Sequence, residues 1–168
     1  MDDLIYNQRK IPKRQWRYGL RSSAATGCGW IAVYNALRLM NYRAEPEQLI
    51  RYFSRQLPLI HGNAGTTIPG PALFFLQKGF PVRMDVRRSK FDALVRGSDA
   101  AILFYRWRRK WRFGAHFVTV RWDGRNFIGY NTFRNSEEPD CYGESLEAFL
   151  KKQKYFTPVL LGIKDKRT

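Results

Sequence analysis

The run CGWIAVYNALRLM, residues 28–40, carries apolar side chains on every side of a helical wheel. Trp30, Ile31, Val33, Tyr34, Leu37, Leu39 and Met40 are too dense for a stripe with one wet face, so the run predicts a helix buried nearly all round. It falls well short of the roughly 18 uninterrupted apolar residues that a membrane span needs. The rest of the chain therefore has to wrap it. At 168 residues, 44% hydrophobic and 15% aromatic, the chain is long enough to build one domain with a real core and too apolar for disorder.

What flanks this helix sets the expected fold class. Residues 1–21 are polar and basic around Pro12 and read as an extended arm, with Trp16, Tyr18 and Leu20 alternating as in a short strand; one domain then spans 22–168. The small residues of SSAATGCG read as a tight loop. Pro46, followed by Leu49, Ile50, Tyr52 and Phe53, predicts a helix over 45–56. HGNAGTTIPG reads as a loop, and residues 70–78 as a helix stopped by Gly79. FPVRMDV has strand alternation, and SKFDALVRG predicts a short helix with Ser89 at its N-cap.

After residue 99 the texture changes to β. AAILFYRW predicts a strand, RRKW a connection, FGAHFVTVRW a second strand, Asp123-Gly124 a two-residue hairpin and NFIGYNTF a third strand. Residues 134–143 read as a loop, Ser145 caps a helix through SLEAFLKKQ, and TPVLLGI closes as a strand. The order predicts an α+β fold, with N-terminal helices packed on a C-terminal antiparallel β-sheet.

Charge narrows the choice of partners. Thirty basic residues face fourteen acidic ones, for a net charge of +16 and a pI near 10.3. Such a field attracts polyanions, whether nucleic acid or acidic protein. The run YRWRRKWRF interleaves Arg106, Arg108, Arg109, Lys110 and Arg112 with Trp107 and Trp111. Guanidinium groups on phosphates with indoles on bases would use such a pattern, and so would a hairpin with one face in and one face out. The charged N-terminal residues lack the apolar stretch of a signal peptide, so a cytoplasmic protein without a membrane span is expected. Two cysteines are too few for a disulfide framework. Cys28, His61, His116 and Cys141 lack the paired spacing of a zinc site, so no metal or other cofactor is expected.

Cys28 carries the chemistry if any residue does. A thiol becomes a nucleophile on losing its proton, and a helix N-terminus or a nearby imidazolium lowers its pKa. Cys28 opens the apolar helix, and Gly27 and Gly29 leave it uncrowded. An inert buried thiol would also fit that place. Of the two histidines, His116 sits in a core strand and His61 in a glycine-rich loop, so His116 is the candidate base. Asn131 closes the neighbouring strand and is placed to hold the imidazole by accepting from its other nitrogen.

The order Cys, His, Asn, with the cysteine on a helix start and the others on adjacent strands, resembles the papain-like cysteine peptidases. It is most similar to the bacteriocin-processing peptidase family C39 and its C39-like relatives. Cys28-Gly29, His116-Phe117-Val118, Asn131, SLEAFLKK and TPVLLGI match that family's pattern over about 22–163. The resemblance implies a papain-like fold with the nucleophile helix first, and a cysteine peptidase or hydrolase acting on a peptide or protein substrate, acidic substrates included. Deamidation or acyl transfer would use the same three residues, as would a polyanion-binding module with the triad idle. The family's oxyanion-hole Gln has no counterpart here. Ser22 takes its place, with the Cys28 N–H as the second donor; Gln15 is thirteen residues away.

Overall fold

The computed structural model describes residues 4–55, 66–109, 111–132 and 137–167. The expectations placed on His61 and Lys110 lie outside them. Two-residue strands β1 (Arg17–Tyr18) and β2 (Arg21–Ser22) lead into α1 (Ser23–Thr26) and α2 (Cys28–Leu39). There follow α3 (Pro46–Arg55), α4 (Gly70–Gln77), β3 (Val82–Asp85), α5 (Phe91–Arg96), β4 (Ala100–Arg109), β5 (Arg112–Trp122), β6 (Phe127–Tyr130), β7 (Asp140–Gly143), α6 (Leu146–Lys152) and β8 (Phe156–Ile163).

The protein is α+β. Strands β3 to β8 form an antiparallel sheet in the order β3-β8-β4-β5-β6-β7. Helix α2 lies on one face against β4 and β5, while α5 and α6 cover the other. The sheet is thus enclosed on both sides rather than capping a helical half. Period-two alternation sorts its side chains. Ile102, Phe104 and Phe117 join α2 in one core; Ala101, Leu103, Tyr105, Val118 and Val120 join Phe91, Val95, Leu146 and Leu150 in the other. Trp30, Ile31, Ala32, Val33 and Ala36 of α2 are wholly buried, as its sequence requires. The Thr119 hydroxyl donates to the Ala32 carbonyl at 2.9 Å and ties β5 to this helix.

Several boundaries differ from the expectations. Ser89 lies in the turn Arg88–Lys90 and caps no helix, and among the described residues the strand expected over NFIGYNTF is confined to Phe127–Tyr130. SSAATGCG is not all loop: Ala24 and Ala25 sustain a helical turn, closed where Gly27 N–H donates to the Ser23 carbonyl at 2.9 Å. The connection RRKW is shorter than expected, because β4 runs on to Arg109 and β5 begins at Arg112. The Asp123-Gly124 turn spans 123–126 instead of two residues, since the Asp123 carboxylate accepts from the N–H groups of both Arg125 and Asn126. Residues 140–143, expected in a loop, form the edge strand β7, which pairs with β6 across a bulge.

The basic arm is built into the body. Asn35, wholly buried in α2, accepts from Ile5 N–H and donates to the Ile5 carbonyl, both at 2.9 Å. Asn7, Gln8, Ile11 and Tyr18 are buried as well.

Candidate functional site

Cys28 is the first residue of α2, with Gly27 as the residue before the helix. Neighbours occupy the space where a side chain on either adjacent glycine would stand. A Cβ on Gly27 would stand 2.7 Å from the Trp30 indole nitrogen, and one on Gly29 would stand 2.3 Å from the Thr66 hydroxyl. That hydroxyl lies 3.1 Å from the Tyr18 hydroxyl, so Tyr18 and Thr66 form a buried polar prop under the helix start. Gly29→Ala is expected to cost about 1–3 kcal/mol by overpacking, despite alanine's better helix propensity. Urea unfolding checks this, and a stabilised variant would show that Thr66 yields.

Three main-chain N–H groups, of Phe117, Gly29 and Cys28 itself, bear on the Cys28 thiol and favour its thiolate form. Burial outweighs them and pushes the thiol pKa up. The Phe117 contact brings the sulfur to the residue that follows His116 in β5. His116 itself is wholly buried, crossed by the ring of Tyr105 on β4 at a centroid distance of 6.0 Å.

The orientation of His116 is set by main chain. Its Nε2 lies 2.7 Å from the carbonyl oxygen of Asn131. A carbonyl only accepts, so Nε2 holds the proton and the basic lone pair belongs to Nδ1. Burial lowers the imidazole pKa to about 4; the Asn131 carbonyl opposes this and the Arg9 charge adds to it. Near neutral pH Cys28 is therefore a thiol and His116 a neutral imidazole. Burial disfavours both charges, and so acts against the expected lowering of the thiol pKa by an imidazolium and the helix end.

Asn131 is in place, but its amide serves another purpose. The side-chain oxygen accepts from Gln8 N–H at 2.8 Å, and the amide nitrogen donates to the Gln8 side-chain oxygen at 3.2 Å. Gln8 in turn donates to the Ala24 carbonyl of α1 at 3.1 Å. Asn131 has a φ of +62°, a left-handed conformation that asparagine tolerates better than most residues. Gln8 thus fixes a strained residue whose carbonyl aims at His116. Sequence reasoning missed Gln8, which lies in a polar basic stretch where nothing marks one amide as buried.

The other predicted positions are more dispersed. Ser22 is half-buried in β2, paired with Arg17, and caps no helix with its side chain. Cys28 and Cys141 are both free thiols, the latter exposed on β7. Among the described residues, no group of three or more His, Cys, Asp and Glu could hold a metal ion, and no helix is long and apolar enough to cross a membrane.

Fold and site together define an α+β protein with a cysteine on a helix start, near the main chain of Phe117, and a buried, tautomer-fixed histidine on the same strand as Phe117. No protein-family model matches the chain, and no curated protein is detectably similar to it.

Proposed function

We propose that the chain is a papain-like cysteine hydrolase, C39-like in layout, that cleaves a peptide or amide bond. One observation carries the reading: the Asn131 carbonyl fixes the His116 proton on Nε2 and so makes Nδ1 the base, in a residue next to the Phe117 N–H that bears on the Cys28 thiol.

In this reading the Cys28 sulfur attacks the substrate carbonyl while its proton passes to His116 Nδ1. The negative oxygen of the tetrahedral intermediate is met by the Cys28 N–H at the helix start. His116 returns the proton to the leaving amine, the carbon–nitrogen bond breaks, and an acyl-Cys28 thioester remains. Water, deprotonated by His116, then releases the acid. Deamidation and acyl transfer follow the same steps with a different leaving group or acceptor.

Incubation with p-nitrophenyl acetate tests this. A burst of p-nitrophenol and an acetyl group on Cys28 by mass spectrometry are expected, with both lost in Cys28→Ala and the burst slowed about 100- to 10,000-fold in His116→Gln. Asn131→Gly keeps the left-handed backbone and the carbonyl, so its burst rate should stay within a few-fold. It removes a buried amide from Gln8, and the fold should lose roughly 2–4 kcal/mol. Hydrolysis without an adduct on Cys28, or an unimpaired His116→Gln, would sink the proposal. A large rate loss in Asn131→Gly would return the orienting role to the side chain.

A further inference from the structure

We infer that the β4–β5 ribbon is a binding surface for single-stranded nucleic acid, independent of the Cys28 chemistry. Strand β4 pairs with β8 only as far as Arg106 opposite Phe156, and β5 pairs with β6 only from Thr119 onwards. The ribbon between Trp107 and Gly114 therefore extends past both neighbouring strands. Residues opposite each other on antiparallel strands share a face. The register sets Trp107 opposite Gly114 and Arg108 opposite Phe113.

One face of the ribbon is closed. Trp107 lies across Gly114, where an added Cβ would stand 2.3 Å from the indole, and it packs on the core that holds Tyr105. The other face is open. It continues the buried Phe104–Phe117 pair outwards with Arg106, Arg108 and Phe113, and Phe156 joins it from β8. Phe113 is 68% exposed and Trp111, in the turn, 91% exposed. The Arg108 guanidinium sits 5.1 Å from the Phe113 ring centre.

Two features select the ligand. No acidic residue lies between Asp99 and Asp123, or between Glu147 and Asp165, so both segments that build this face are purely cationic within a chain of net charge +16. Arginines two residues apart on a strand stand about 7 Å apart, comparable to the phosphate repeat of an extended polynucleotide. Exposed rings beside them call for flat partners. The bases of a single strand offer such faces, whereas a duplex hides them and an acidic polypeptide lacks them.

Fluorescence anisotropy with a labelled 20-nucleotide oligodeoxythymidine, its duplex with oligodeoxyadenosine, and labelled polyglutamate decides the matter. The single strand should bind tightest, its affinity falling steeply with salt and Trp fluorescence quenched on binding. Trp111→Ala with Phe113→Ala should weaken binding at least about tenfold and leave the salt slope unchanged. Arg106→Gln with Arg108→Gln should reduce that slope by about 1.4, two phosphate contacts at roughly 0.7 each. All these side chains are exposed, so unaltered thermal unfolding certifies the variants. Cys28→Ala should bind as the parent does, which separates this inference from the hydrolase reading. Equal binding of polyglutamate or duplex, or indifference to loss of the two rings, would overturn it.

Discussion

Lowering the pH from 7 to 4.5 is expected to cost the fold about 2–3 kcal/mol through His116 alone. In the folded protein the ring is wholly buried and takes a proton only below about 4. In the unfolded chain it does so near 6.5. Between these values the unfolded state binds more protons, so stability rises with pH across that window. The contribution is complete above about 6.5 and is lost progressively as pH falls to about 4. Asp85 and Asp165, held low by Arg87 and Arg167, begin to lose their contribution only as pH falls to the ordinary carboxylate pKa of about 4, so they overlap only the acid end of this window. Urea midpoints at a series of pH values measure the slope, and His116→Gln should flatten it. Should that variant fail to fold, ring-carbon NMR of His116 in the parent protein gives the answer directly. A midpoint near 6.5 would mean that the imidazole is solvated and that the site is open at rest.

How much of this was legible in the sequence depends on range. The burial of α2 followed from the density of Trp30, Ile31, Val33 and Leu37, because a pattern within one element needs no knowledge of its neighbours. The strands around His116 and Asn131 were likewise readable from alternation, and their adjacency brought the two residues within a hydrogen bond. Which atom of Asn131 makes that bond was not readable. It depends on a φ of +62° and on an amide held by Gln8, 123 positions away in the chain. The glycines around Cys28 show the same limit. Sequence marks them as small, but only the packing of Trp30 and Thr66 against them says why. The insertion of β8 between β3 and β4 was equally hidden, since a closing strand can pair at either edge of a meander or inside it. Charge state is the least local property of all. Burial decides the direction in which Cys28 and His116 shift, although Cys28 is only half-buried, and its place at a helix start would have argued the opposite for the thiol.

That enclosure leads to a second large effect, in which two reactions of one thiol should show opposed pH profiles. Alkylation by iodoacetamide requires a thiolate already present. With its pKa raised by burial, Cys28 in a Cys141→Ser protein should alkylate at pH 7 more slowly than glutathione. The rate should climb through alkaline pH with no plateau on the acid side. Acylation by the activated ester needs instead a neutral Nδ1 to take the proton during attack. Its acid limb should therefore follow His116 down to about 4, rather than falling away near 6.5. At pH 5.5 that difference is about tenfold in the fraction of protein whose imidazole is neutral. An alkylation plateau between pH 5 and 7 would instead reveal a resting thiolate–imidazolium pair, and with it a site that opens enough to solvate both charges. Slow alkylation combined with efficient acylation is the signature of a nucleophile that stays protonated until a carbonyl arrives. Under that arrangement the three N–H groups around the sulfur stabilise charge only as it forms in the reaction, not in the resting state.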